Sequence, residues 1–564
     1  MSLGKWVENM KASSLTIENF KTLIDKNAYY IDKTQLIVDC IKEERVLYTR
    51  PRRFGKTLNM SMLYYFFSNQ ESDNAYLFDG LKVTQYPEVM RHQNQYPTIL
   101  ISLKDMIGEN LKIQTEMFAS LIAAIVEKHS YLFESNALSD AQKKVLKKYQ
   151  NKESSESDLR NALLNISTYL YKHYHQKVII LIDEYDVPLQ AAYQNGYYNE
   201  MVNFLRSVFS SALKTNDALE KGILTGCLRI SKESIFTGLN NFNVYSILEV
   251  DNEENFGFTE SEVKQMLDDY HLGNDFNEVK KWYDGYLFGK KEIYNPWSTL
   301  KYVQSKMSDR DAKPASYWAN TSGNAIVYNY IQNATPKLRE EFEQLMQGKS
   351  IIKSIKQDLT YREMDDIDNI YSFLLLTGYL KVKSVIEETM PNNPEVPMIQ
   401  YELVIPNLEI YQIYYEHFDK YFGQYQNHHR QELFDALVKG EEEKANDILN
   451  GVLERSISYY DNQESFYHGF LTGLFSDGYK VESNKESGNG RFDVCVLSKR
   501  LRKPAVIIEC KHSITEKELV KDARVGAEQI VKKNYKQDIE ERGYYPIVAY
   551  GISFYKKQCY VIKA

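Results

Sequence analysis

The chain has 564 residues, of which 43% are hydrophobic and 26% charged, with a net charge of −8. That length exceeds a single hydrophobic core and predicts about three domains, and the composition is that of a soluble globular protein. An acidic balance excludes a protein that coats nucleic acid along its whole surface. The five scattered cysteines (Cys40, Cys227, Cys495, Cys510, Cys559) exclude a C-x-x-C zinc site and predict a reducing, cytoplasmic setting.

No run approaches the roughly 20 apolar residues of a membrane span, and MSLGKWVENMKASS lacks the apolar stretch of a secretory signal. A membrane partner is therefore not expected. The charge is uneven, because residues 487–564 carry 16 Lys and Arg against 9 Asp and Glu. A basic C-terminal module on an acidic body is suited to a local contact with a polyanion.

In chain order, YYIDKTQLIVDCIKEE has helical apolar spacing, and RVLYT (45–49) reads as a short strand. The loop PRRFGKT follows, then a helix over about 58–67. TILISLKDM (98–106) is a second strand, and a helical stretch covers roughly 112–175. KVIILIDEYD (177–186) is continuously apolar, as befits a strand covered on both sheet faces. A helix near 199–214 leads to GILTGCLRI (222–230), a fourth strand. Strands alternating with helices predict an α/β domain with a mainly parallel, covered sheet over residues 1–250. Residues 251–425 read as a helical lid or connector with a β-hairpin, GYLKVKSVIEE and IQYELVIPN flanking a turn-rich MPNNPEVPM. Residues 426–564 open on a long helical pattern and continue with four strand-like runs, GRFDVCVL, AVIIECKH, PIVAYGISFY and QCYVIKA.

The first constellation is a phosphate loop. Backbone N–H groups at a helix N-terminus cradle phosphate. Gly55 lets the chain approach the phosphate, Lys56 reaches the β/γ-phosphates, and the Thr57 hydroxyl binds Mg²⁺. Arg50 stands where the first glycine of G-x-x-x-x-G-K-[ST] is usual. Asp183, at the end of an apolar strand, is placed to orient the Mg²⁺, and Glu184 to polarise the attacking water. Thr225 and Arg229 are candidate γ-phosphate sensors. These segments resemble the bacterial AAA-ATPase-like family, close to the archaeal-type P-loop ATPases. The likeness lies in YYIDKTQLI, YTRPRRFGKTLNMSML, VIILIDEYDVPL and WYDGYLFGKKEIYNPWSTL, over about the first 300 residues. A loop beginning Pro-Arg-Arg is usual in that family. The resemblance implies ATP binding through Gly55, Lys56, Thr57 and Asp183, with Glu184 as the hydrolytic acid. Arg52 and Arg53 either touch phosphate or stabilise the loop. Gly285-Tyr286 and Asn295-Pro296-Trp297 match family positions, where packing and turn formation are the plain reading.

The second constellation is GRFDVCVLSKRLRKPAVIIECKH (490–512), two strands joined by a basic turn. Residues i and i+2 of a strand share a face, so Glu509 and Lys511 point one way and Cys510 the other. Pairing of the two strands brings Asp493 to that end. Two carboxylates so placed hold Mg²⁺, while Lys511 positions water and stabilises phosphorane charge. The segment resembles the nuclease domain of the PD-(D/E)XK superfamily over about 430–564, an α/β restriction-endonuclease-like fold. The resemblance implies Asp493 and Glu509 as metal ligands (Mg²⁺, with Mn²⁺ as a substitute) and Lys511 as the catalytic lysine. Glu464 on the preceding helix, or Glu486 in the Gly-rich turn, completes the acid cluster, Glu464 being favoured. Gln529 approaches from one side. DNA is the nucleic acid favoured by family analogy. The function expected is an ATPase fused to a nuclease gated by nucleotide state. Two rivals are an ATP-switched regulatory or nucleic-acid-binding protein that cuts nothing, and a partner-activated defence sensor. Oligomeric state and any arginine finger in trans are not legible.

Overall fold

A computed structural model describes residues 13–230, 242–318, 336–365, 367–390, 393–456, 467, 470–472, 474–475, 478–487 and 490–564. The chain divides into two compact units, one formed by Met1–Val327 with Gln344–Ile413, the other by Tyr328–Glu343 with Tyr414–Ala564.

The first unit is built on five strands: β1 (Arg45–Thr49), β2 (Thr98–Ser102), β3 (Val178–Asp183), β4 (Leu219–Gly226) and β5 (Asn243–Tyr245). They lie in the order β2-β3-β4-β1-β5, and every pairing is parallel. All six residues of β3 are buried, as its unbroken VIILI run requires of a strand covered on both faces. The chain moves from β1 out to the edge strand β2 and returns through β3 and β4. The loops after β1, β2, β3 and β4 therefore open at one carboxyl edge, where open α/β sheets bind ligands. Helix Lys56–Phe67 leaves the loop after β1 and packs on β2 and β3. It is buried on nearly every side, with Met60, Met62, Leu63, Phe66 and Phe67 all within the core.

The expected helical stretch over 112–175 resolves into four α-helices, Leu111–Lys128, Asp140–Gln150, Glu156–Arg160 and Ala162–Tyr174, with a 3₁₀ helix, Ser130–Glu134, after the first. Ser139 and Ser155 start two of them with capping boxes, in which side chain and backbone satisfy each other's free groups. Two three-stranded sheets follow. One has the order β6 (Phe258–Thr259), β8 (Lys291–Tyr294), β7 (Tyr286–Phe288). The other contains the expected hairpin, β10 (Lys381–Met390) against β11 (Asn393–Val404), with β9 (Ile351–Lys353) on its far side.

The second unit carries a mixed sheet in the order β12 (Lys480–Ser487), β13 (Gly490–Leu497), β14 (Ala505–His512), β15 (Ile547–Tyr555), β16 (Gln558–Lys563). Only β14 and β15 pair in parallel, and a parallel pair needs a crossover. Helix Leu519–Lys533 is part of it and packs on β14 and β15. Alternate residues of β14 enter different cores. Val506, Ile508 and Cys510 join one cluster with Leu449, Val452 and Leu453, while Ala505 and Ile507 join the other with Ile530 and Tyr535. No described helix is long and apolar enough to cross a membrane.

Candidate functional site

In the first unit a cleft of about 1020 Å³ opens beside the loop after β1, lined by Arg52 to Asn59, Glu184, Gln190 and Trp297 among others. Gly55 sits at φ +83 as the N-cap of helix Lys56–Phe67, a left-handed conformation that favours glycine. The Thr57 hydroxyl donates to Asp183 Oδ2 at 2.8 Å. Ser102, at the end of β2, donates to the same oxygen at 3.1 Å, and Thr225, on β4, donates to Oδ1 at 2.7 Å. Asp183 is thus held by three hydroxyls from three elements. Burial raises its carboxyl above the usual range, the Glu184 charge adds to that, and the Thr225 and Thr57 hydroxyls oppose it.

Lys56 Nζ donates to the carbonyls of Arg50 and Pro51, both at 3.0 Å, and lies 3.3 Å from Glu184 Oε1. Burial disfavours its charge, but Cys227, Glu184, Asp186 and Asp183 around it keep the ammonium protonated. Glu184 adopts φ +53, an uncommon conformation for a non-glycine residue and one that gathers at functional sites. The turn is fixed by the Tyr185 N–H on Thr225 O at 3.0 Å and by Asp186 Oδ2, which accepts from the N–H groups of Cys227 and Leu228 at 2.9 and 3.0 Å.

Arg50 does not face phosphate. It is fully buried, and its guanidinium donates to the carbonyls of Thr49, Tyr245 and Asn252 at 2.9, 2.7 and 3.0 Å. The Phe256 and Phe288 rings lie about 5 Å away. The residue in the glycine position therefore ties β1 to β5 and the loop beyond. Arg53 stacks on the Trp297 indole at 4.2 Å, and Arg52 donates to Gln190. Arg229 pairs with Asp358 at 2.6 Å and does not line the cleft, so the structure does not bring it to Lys56 and Asp183 as it does Thr225. Ser102, Asp186, Gln190 and Trp297 were not singled out from sequence for this site. Ser102 could have been found by counting to the carboxyl end of β2. The others depend on contacts between distant segments.

Thr57 and Asp183, the hydroxyl and carboxylate that would hold Mg²⁺ if the loop binds a nucleotide, touch each other. The lysine is in place beside them, so the residues fit a Mg-nucleotide.

In the second unit Glu509 is 2% exposed. Its Oε1 lies 3.2 Å from Lys511 Nζ and accepts from the Gln529 side-chain amide. Its Oε2 is buried without a hydrogen-bond partner. Asp493 Oδ2 accepts the Cys510 N–H at 2.8 Å, which brings the two acids to neighbouring strand positions. Burial first, and the Asp493 charge second, push the Glu509 carboxyl up to about 7. Gln529 reaches Glu509 because glycines let its helix approach the sheet. A Cβ on Gly551 would lie 2.0 Å from the Ala523 carbonyl, and one on Gly526 3.2 Å from the Glu509 carbonyl. The Gln529 side-chain amide also donates to the Tyr535 hydroxyl.

Glu464 lies outside the described residues. Glu486 falls on β12, opposite Arg491, and not in the turn where the sequence suggested it. Among the described residues no group of three or more His, Cys, Asp or Glu is arranged to hold a metal. The pair Asp493 and Glu509, with one buried oxygen lacking any donor, still fits a divalent cation whose remaining ligands are water and phosphate.

Residues 14–236 match the family model described as AAA-ATPase_like, Predicted AAA-ATPase, and residues 462–564 match the PD-(D/E)XK nuclease superfamily. The chain joins a predicted AAA-ATPase domain to a PD-(D/E)XK nuclease superfamily domain. The AAA-ATPase-like segment contains Lys56, Thr57, Asp183 and Thr225, and the nuclease-like segment contains Asp493, Glu509, Lys511 and Gln529. The chain is 25% identical over 488 residues, 83% of each protein, to an "Uncharacterized protein in vnfD 5'region" of Azotobacter chroococcum mcd 1. No solved structure matches.

Proposed function

We propose that the chain binds and hydrolyses ATP at the first site and cleaves DNA by metal-dependent phosphodiester hydrolysis at the second, with nucleotide state gating the cut. The observation that carries this reading is the buried Glu509 with its unpartnered oxygen, set against Asp493, Lys511 and Gln529 in a chain that also pairs Thr57 with Asp183.

At the first site phosphate draws Lys56 from the loop carbonyls it now holds, and with it from Glu184. Glu184 is then free to orient the attacking water, while Thr57 and Asp183 hold Mg²⁺. At the second site Asp493 and Glu509 hold Mg²⁺ or Mn²⁺, which supplies charge stabilisation and water activation. Lys511 stabilises the charge that gathers on the phosphate oxygens, and Gln529 fixes the Glu509 carboxylate so that its free oxygen faces the ligand. Residues 251–425 serve as lid or connector between the ATPase-like part, 1–250, and the nuclease-like part, 426–564.

The test is cleavage of plasmid and linear DNA with Mg²⁺ or Mn²⁺, with and without ATP, in wild type and in Lys56→Ala and Lys511→Ala. The expected result is cutting that needs Lys511, stops with chelator, and responds to ATP only when Lys56 is intact. Cutting that persists in Asp493→Ala overturns the assignment of the second site. ATP binding through Lys56 with no cutting in any condition replaces it with an ATP-switched, non-cleaving protein.

A further inference from the structure

The WYDGYLFGKKEIYNPWSTL segment has no part in the chemistry above except through Trp297. Besides forming two strands of a small sheet and setting Phe288 against Arg50, it grips the head of helix Leu408–Lys439. One of the points where the chain passes between its two compact units, Ile413 to Tyr414, lies inside that helix.

The grip consists of several contacts within the first unit. Asn407 caps the helix by accepting the Ile410 N–H at 3.0 Å, and its amide donates to the Asp284 carbonyl at 2.7 Å. Gly285, at φ +98, faces the Pro406 carbonyl so closely that a Cβ there would lie 2.2 Å from it. Glu409, in the first turn, is fully buried. Its Oε1 accepts from the Ser298 hydroxyl at 2.8 Å and from the N–H groups of Tyr317 and Trp318, both at 2.9 Å. Its Oε2 is buried without a hydrogen-bond partner, and among the described residues no ion pair includes it. A carboxylate removed from water with no counter-ion is costly, and an apolar residue of similar size would avoid that cost. An apolar residue would, however, strand the Tyr317 and Trp318 N–H groups and release Ser298, so the glutamate is what ties these three donors to the helix head.

The donor that Glu409 holds is the residue next to Trp297. Asn295 caps helix Pro296–Ser308, and Ser298 is buried in its first turn. Trp297 walls the P-loop cleft, and the Arg53 guanidinium lies on its ring. Arg53 belongs to the loop that meets phosphate. Loop, indole, Ser298 and Glu409 thus form one packed series, and a helix turn with a capped, buried start moves as a body.

Resting on the reading of the cleft as a nucleotide site, we infer that Glu409 is a positioning residue through which nucleotide occupancy reaches the head of helix Leu408–Lys439. Phosphate at the loop draws on Arg53, Trp297 follows, and the displacement of Ser298 is delivered to Glu409.

The experiment is hydrogen exchange on the full chain with and without Mg²⁺ and β,γ-imido-ATP, with nucleotide binding titrated separately on the same samples. In wild type, nucleotide changes exchange of the amides at 408–413 at least about fivefold, the low end of ordinary site-to-site coupling. Ser298→Ala binds the nucleotide as wild type does, keeps the nucleotide-free exchange of the rest of the first unit and loses most of the change at 408–413, which a merely structural contact would not produce. Glu409→Gln, whose amide oxygen still accepts from Ser298, keeps the change. Wild type that binds nucleotide with no change at 408–413, or Ser298→Ala that transmits it undiminished, overturns the inference. Absence of DNA cleavage strikes the nuclease reading and leaves this result standing. Absence of nucleotide binding in wild type strikes both.

Discussion

Replacing Arg50 by glycine would restore the usual first residue of a phosphate loop, and the structure predicts that it damages the protein. The guanidinium makes three hydrogen bonds to carbonyls. Bonds from a charged donor contribute about 1.5–3 kcal/mol each, and each contact with Phe256 and Phe288 adds roughly 0.5–1 kcal/mol. Against this stands the cost of burying the charge. Burial lowers the Arg50 pKa from 12.5 to about 10, which at about 1.4 kcal/mol per unit is on the order of 3 kcal/mol. The difference leaves Arg50→Gly destabilised by about 2–8 kcal/mol. Urea unfolding of the first unit, followed by near-UV circular dichroism, should show a midpoint lower by about 1 M or more. Arg50→Lys should recover only part of the loss, because one ammonium does not span three carbonyls. A glycine variant that unfolds at the wild-type midpoint and binds nucleotide normally would refute the argument that Arg50 ties β1 to β5.

Lys56→Ala should weaken nucleotide binding by roughly 100-fold or more, since a buried charge-assisted contact is lost; titration with a fluescent ATP analogue measures this. Gly551→Ala should push helix Leu519–Lys533 away from β15, draw Gln529 from Glu509 and cost about 1–3 kcal/mol through overpacking, read as weakened Mn²⁺ binding together with a lowered midpoint. Burial raises the Glu409 carboxyl from 4.5 to about 7. Its contribution is fully present below about pH 4.5 and is lost as pH rises towards 7, because the folded state holds the proton more tightly. The loss is on the order of 3 kcal/mol, and urea unfolding at pH 5 and pH 7.5 should show a drop in stability smaller by about that amount in Glu409→Gln than in wild type, the remainder coming from other buried acids such as Glu509.

The parts of the molecule that could be read in advance are those whose signal is local. RVLYT, GRFDVCVL and AVIIECKH become β1, β13 and β14 with the same limits, because each is an apolar run between turn residues. Lys56, Thr57 and Asp183 meet because a parallel sheet gathers strand ends at one edge. Strand β5 has three residues, and β12 is a polar run, KVESNKES. Neither has the alternation or apolar length that marks a strand. Arg229 looked like a phosphate sensor from its place after β4, but it pairs with Asp358 on a segment far along the chain. Trp297 beneath Arg53 is hidden for the same reason, since no local pattern announces a ring that packs on a cation from a distant loop.

The contacts of Lys56 bear on what a ligand of this loop would have to displace. With its ammonium on two carbonyls of its own loop and beside Glu184, the cradle is filled by the chain itself. A small anion must break those bonds with little to offer in return, whereas a nucleoside triphosphate brings several charged oxygens and a cation for Thr57 and Asp183. On the proposed reading, such a loop would favour a polyanion over inorganic phosphate or chloride.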